Sequence, residues 1–261
     1  MSSESVDAAL VLSGGVARGL SHIGIYKALC EFKVQPKIIA GTSAGAIIGA
    51  FIAKGFHADE IAAIASKTNI ISIRNFNPGN LGLFKPHSIK WNLQKYLGNI
   101  NFEDLGIELA VAATDIRMGK PYYFRSGPLI PALLATSAIP VIYKPITIDD
   151  KLFIDGGISD NFAVEAISPC RYKIIGCHAN PLGNNENDLN YKALVDRCIS
   201  VALHKDILHK KHLCDIFIEP PLLANYGMFQ IKKAQEIIQI GYDYTKTLKP
   251  DFDALVYKPF N

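Results

Sequence analysis

The chain has 261 residues, 49% of them hydrophobic and 20% charged, and a formal net charge of +3. That is enough apolar material for one sizeable buried core, and it excludes a disordered polymer. The small charge comes with no basic run interleaved with aromatics, which argues against nucleic acid; it is compatible with transient contact with an anionic lipid surface.

In chain order, Met1–Asp7 is polar and slightly acidic. It has neither the basic nor the apolar region of a secretory leader, so a cytoplasmic location is expected, with peripheral contact at a membrane surface. A strand is predicted over 8–12, followed by the glycine-rich turn Ser13-Gly14-Gly15-Val16-Ala17-Arg18-Gly19 and a helix from about Arg18 to Phe32. A second strand over 37–40 runs into Gly41-Thr42-Ser43-Ala44-Gly45, and small-residue helices follow over 44–54 and 58–67. The segment 69–91 is irregular, with a turn signal at Asn77-Pro78-Gly79-Asn80, and reads either as a cover over an acyl pocket or as a loop completing the core. Next come a helix over 87–97, a strand over 107–114, and a hairpin-like pair near 121–125 and 144–154. A strand over 172–178 and helices near 191–211 and 229–247 complete the chain.

Strands alternating with helices predict an α/β fold with a mostly parallel central sheet and helices on both faces. No linker or repeat interrupts it, so one domain over 1–261 is expected. The longest uncharged stretch, Ile38–Ala53, has 16 residues, short of the roughly 20 needed to span a bilayer. Five widely spaced cysteines (Cys30, Cys170, Cys177, Cys198 and Cys214) suit free thiols in a reducing compartment.

Chemistry concentrates at three turns. Ser43 stands between Gly41 and Gly45, where a strand turns into a helix; such a turn strains the backbone and presents the hydroxyl outward. The helix that starts there aims its N–H groups and positive dipole end at the serine. The Gly14–Gly19 turn can point several N–H groups at one oxyanion. Asp155, followed by Gly156 and Gly157, closes the strand-like run 151–154 and can hold or deprotonate a serine hydroxyl. In parallel sheets ligands sit beyond the carboxyl ends of the strands, so one site can gather all three turns.

These motifs resemble those of patatin-like phospholipases, over about Ala8 to Asp243. The resemblance implies a three-layer α/β/α fold and a lipid acyl hydrolase with a Ser–Asp dyad, in which Ser43 is the nucleophile and Asp155 the base. The oxyanion loop falls on Gly14, Gly15, Val16 and Arg18, with Gly19, Gly41, Gly45, Gly156 and Gly157 supporting the motifs. The stretches 112–115, 135–140 and 160–164 also resemble family segments. A lipid ester is the implied substrate, with no cofactor and no metal. The lipid class, the acyl position cleaved and the oligomeric state are left open.

Two residues depart from the family pattern. Val16 stands where a third glycine is usual; a β-branched residue disfavours positive φ, so Val16 is expected at negative φ with its N–H still facing the site. Ala163 stands where many relatives carry proline. Asp115 reads as a cap rather than a catalytic group, and His22 as a packed side chain. His204, His209 and His212 read as a solvated helical face. Three alternatives are weighed. A Ser-His-Asp hydrolase would draw its histidine from His178, but only two strands precede Ser43. A nucleotide-binding loop fails at Val16 in one pattern and at Leu20 in the other, where glycine and lysine are required. A catalytically weak, lipid-binding relative is raised by Val16 alone.

Overall fold

The computed structural model describes residues 5–68, 87–140, 142–183 and 191–256. Of the segment 69–91, read either as a cover or as a loop completing the core, residues 69–86 lie outside the described residues.

The N-terminal half alternates as expected: β1 (Val6–Leu12), α1 (Ser21–Glu31), β2 (Val34–Thr42), α2 (Ala44–Lys54), α3 (Ala58–Lys67), α4 (His87–Leu97) and β3 (Glu108–Asp115). Then come β4 (Lys120–Phe124), α5 (Leu129–Thr136), β5 (Ile146–Ile148), β6 (Lys151–Asp155) and β7 (Lys173–Cys177). The chain continues through α6 (Tyr191–Lys210), β8 (Ile216–Ile218), α7 (Ala234–Thr247) and α8 (Lys249–Val256).

The strands form one sheet in the order β5-β6-β3-β2-β1-β7-β8, with β4 also paired to β3. The centre is parallel: β2 and β7 flank β1, β3 joins β2, and β8 joins β7. Both faces are covered, as alternation along β1 shows. Leu10 and Leu12 belong to the larger core with α1, α2 and α5. Ala9 and Val11 pack on the other face with Phe162, Val164 and Ile207 of α6. A sheet buried on both sides explains why its central strands read as unbroken apolar runs.

The expected pair of 121–125 with 144–154 is corrected. β4 pairs with β3, and β5 with β6. Each hairpin is set by its own local turn. Asp149 and Asp150 between β5 and β6 have φ of 47° and 60°, as a tight two-residue connection of primed type requires. At the β3–β4 turn the Asp115 carboxylate accepts from the N–H groups of Arg117 and Met118; this is the capping role read from its position.

The hairpins also decide how Asp155 reaches the site. β6 runs antiparallel to β3, so its end does not share the carboxyl edge of the parallel strands by direction. It pairs only with the last three residues of β3, Asp155 lying opposite Ala113. The neighbouring Ala112 is paired with Thr42. The short overlap therefore brings the end of β6 beside the end of β2.

Candidate active site

β2 ends at Thr42, and Ser43 turns the chain into α2 with φ 51° and ψ −119°. A non-glycine residue there is strained by an estimated 1–3 kcal/mol. Two contacts hold the turn. The Ser43 N–H donates to Thr136 Oγ1 at 2.8 Å, and Thr136 Oγ1 donates to the carbonyl of Ala112. Thr42 Oγ1 donates to the carbonyl of Asp160 at 3.0 Å. Gly45 is required by close approach, because a Cβ there would lie 2.2 Å from the Leu12 carbonyl oxygen. α2 can therefore start directly against the end of β1.

The strained turn aims its side chain at the end of β6. Ser43 Oγ donates to Asp155 Oδ2 at 2.7 Å. The other carboxylate oxygen, Oδ1, accepts from the Gly157 N–H at 2.8 Å. Thr114 Oγ1 fixes the strand end by donating to the Asp155 carbonyl at 2.8 Å. Both residues are nearly inaccessible, Ser43 at 6% and Asp155 at 7% exposure. Burial is the largest influence on the Asp155 carboxyl and pushes its pKa up to about 6, against the hydrogen bonds from Ser43 and Gly157 that favour the carboxylate. The arrangement thus holds a hydroxyl against a carboxyl able to exchange a proton near neutral pH.

The glycine loop after β1 differs from expectation at two residues. The Gly14 N–H donates to the carbonyl of Asn161 at 3.2 Å. It is spent on the fold, so it is not a free oxyanion donor. Val16 has φ 48°, correcting the expected negative value; the loop takes its left-handed turn with a β-branched residue in place of the usual glycine. The N–H groups of Gly15 and Val16 meet no acceptor among the described residues. Ala17 donates to Met228 at 2.9 Å and Gly19 to Val16 at 3.2 Å, closing the turn. Two side chains anchor the loop from behind: Asn180 Nδ2 donates to the Gly14 carbonyl at 2.7 Å, and Ser13 Oγ accepts from the Ala179 N–H at 2.9 Å.

Arg18 is buried, and its guanidinium donates to the Tyr226 carbonyl and, at 3.2 Å, to Ser200 Oγ of α6. It ties the loop to the helix covering that face. Among the described residues, no histidine hydrogen-bonds Ser43. His22 is fully buried with Nε2 against the Ser13 carbonyl at 2.9 Å, and burial lowers its pKa to about 4. His178 Nδ1 pairs with Glu219 Oε1 at 2.6 Å. His209 and His212 are exposed, whereas His204 is half-buried and its Nδ1 has no hydrogen-bond partner among the described residues.

Sequence reasoning passed over Thr136 and Asp160 as working parts. Asp160 is buried and accepts from Tyr123 Oη at 2.6 Å, Lys210 Nζ at 2.7 Å and the Phe162 N–H at 3.1 Å. Its carbonyl holds Thr42, so α6 and β4 are braced to the serine turn through one residue. The available signal was that Thr136 and Asp160 lie in the 135–140 and 160–164 stretches, which matched no chemistry of their own.

A doubly covered α/β sheet with a strained serine turn hydrogen-bonded to a buried carboxyl defines a serine-hydrolase-like class of site. Residues 10–167 match the patatin-like phospholipase family model, and the chain belongs to that family. An uncharacterised NTE family protein of Mycobacterium tuberculosis is 36% identical over 169 residues, covering 64% of this chain and 47% of the relative. The lysophospholipase nte1 of Aspergillus fumigatus is 25% identical over 272 residues, covering 91% of this chain and 18% of the relative. The chain thus spans about half the length of the mycobacterial relative and under a fifth of the fungal one. Among solved structures, VipD from Legionella pneumophila shares the fold, with a TM-score of 0.60 at 16% identity, covering 95% of this chain and 67% of that one. No helix among the described residues is long and apolar enough to cross a membrane.

Proposed function

We propose that this chain is a serine lipid acyl hydrolase that cleaves carboxylic esters through Ser43 and Asp155. The observation that carries the reading is the 2.7 Å hydrogen bond from Ser43 Oγ to a buried carboxylate whose pKa is raised to about 6. An aspartate at its ordinary pKa near 4 is a weak base; raised to about 6, it is better matched to a serine at neutral pH while still mostly ionised there.

In this mechanism Asp155 takes the Ser43 proton as Oγ attacks the ester carbonyl. The Gly15 and Val16 N–H groups hold the resulting oxyanion, each worth about 3 kcal/mol by analogy with removal of a single donor elsewhere. The dipole end of α2 supports the same charge. Asp155 returns the proton to the departing alcohol, leaving an acyl-serine. Water, deprotonated by Asp155, attacks that ester, and the fatty acid leaves as Ser43 regains its proton. Arg18 serves by anchoring the loop. The name of the fungal relative supports phospholipid acyl esters as the substrate class.

Hydrolysis of p-nitrophenyl esters of increasing chain length, with Ser43→Ala as control, tests the reading. Turnover that rises with acyl length and vanishes in the variant is expected; turnover that survives the variant overturns it. A second reading, a weak or inactive lipid-binding relative, is favoured by Val16 at φ 48° and by the loss of the Gly14 N–H from the hole. It predicts lipid binding without turnover, and a clear gain of rate in Val16→Gly.

A further inference from the structure

Asn161 lies where the three turns of the site meet, and its side chain has no role in the mechanism above. Its backbone carbonyl takes the Gly14 N–H at 3.2 Å. Its side-chain oxygen lies against two glycines: a Cβ on Gly14 would meet Asn161 Oδ1 at 2.5 Å, and one on Gly157 would meet it at 3.2 Å. The same point above Gly14 is 3.3 Å from Ser43 Cβ, and the point above Gly157 is 3.0 Å from Asp155 Oδ1. The amide therefore stands between the glycine loop and the base turn, beside both reacting residues. A Cβ on Gly14 would crowd this amide, and one on Gly157 would press on both it and the Asp155 carboxylate. This gives Gly14 a function other than donating its N–H.

Asn161 is 3% exposed, and its Nδ2 is buried without a hydrogen-bond partner among the described residues. Leaving such a donor unmet is destabilising, and buried polar groups without a partner are rare enough to call for a reason. A preorganised donor waiting for charge that develops only during reaction supplies one. The donor count of the hole points the same way: the Asn161 carbonyl takes the Gly14 N–H out of it, while the unmet Nδ2 belongs to a side chain whose amide oxygen lies beside Gly14.

We propose that Asn161 is a further catalytic residue, its side-chain N–H donating to the substrate carbonyl oxygen as that oxygen becomes an oxyanion on Ser43. The inference rests on the Ser43 mechanism. Gly15, Val16 and Asn161 then form a hole of two backbone donors and one side-chain donor.

The test compares wild type, Ser43→Ala, Asn161→Ala and the isosteric Asn161→Asp on one p-nitrophenyl ester, together with inhibition by a trifluoromethyl ketone, which forms a tetrahedral adduct resembling the transition state. Asn161→Ala should lower kcat about 10²-fold with KM within about threefold, and should weaken the ketone by a similar factor, as loss of an interaction specific to the transition state requires. Asn161→Asp, which keeps the shape and loses the donor, should show the same loss at pH 8 and decides the matter if the alanine variant fails to fold. A kcat within about threefold of wild type in either folded variant overturns the proposal. So does a lower kcat with undiminished ketone affinity, because a packing defect that slows turnover need not weaken a transition-state mimic. Wild-type turnover abolished in Ser43→Ala establishes the underlying mechanism separately; a wild-type chain inert to ester and ketone alike removes that mechanism and this inference with it.

Discussion

Two neighbouring parallel strands, β1 and β2, each end in a turn that forces a non-glycine residue to positive φ: Val16 at 48° and Ser43 at 51°. The strain is similar, but what it presents is different. At Ser43 the turn presents a side chain, and hydrogen bonds from both its N–H and its Oγ lock it in place. At Val16 the turn presents main chain; the valine side chain is 8% exposed and contributes packing. A turn that presents a hydroxyl depends on its serine, whereas one that presents an N–H keeps that donor with any residue except proline. This is how the chain can carry valine where a glycine is usual.

The largest expected effects fall on the side-chain turn. Ser43→Ala and Asp155→Asn should each lower kcat/KM for an activated ester by about 10³-fold or more, measured on proteins with native circular dichroism. In wild type the rate should rise with pH through a limb near 6, because the base must be ionised and burial holds its pKa about there. Stability runs in the opposite sense. The folded pKa lies above the ordinary 3.8, so the native state binds the extra proton between those values and loses stability as pH rises through that window. Asp155→Asn should remove that loss, visible as a flatter dependence of Tm on pH from 4 to 7. A Tm profile unchanged by the substitution would contradict the raised pKa.

A smaller effect is expected at the support of the serine turn. Thr136→Val keeps shape and deprives the Ser43 N–H of its acceptor. It should lower kcat about tenfold and destabilise by about 1–3 kcal/mol, the cost of a buried unmet donor, read by denaturant unfolding. Loss of stability with full activity would show that the turn holds its geometry without Thr136.

The smallest effect is expected at Val16. Val16→Gly relieves a left-handed valine, a gain of about 1–3 kcal/mol, offset by about 0.4–1 kcal/mol of added unfolded-state freedom. The net should be a modest rise in Tm with the rate changed less than tenfold. A large gain in rate would mean that valine distorts the hole, and would move the protein toward the weak, lipid-binding reading.

Much of this site was legible in the residue string, for local reasons. A serine spaced between glycines at a strand–helix junction, a glycine-rich turn after a strand and an aspartate before paired glycines each encode their geometry within a few residues. What stayed hidden depends on long-range contacts. That the Gly14 N–H goes to Asn161 requires knowing which loop crosses it, 147 residues away in sequence. That Asp155 arrives on an antiparallel strand depends on a three-residue overlap with β3. Val16 was misread because intrinsic preference favours negative φ there, and tertiary anchoring by Asn180 and Arg18 overrides it. The short strand β8 and the helices α5 and α8 were missed as well, three to eight residues long and framed by weak signals.

The most direct test of the central claim is where the acyl group goes. The protein is mixed with an excess of an activated long-chain ester or a fluorophosphonate, quenched in acid, and examined by intact-mass and peptide mass spectrometry. The account predicts one adduct per chain, mapped to the peptide carrying Ser43, absent in Ser43→Ala and formed far more slowly in Asp155→Asn. A stable adduct on another residue, or labelling that persists in Ser43→Ala, would contradict it.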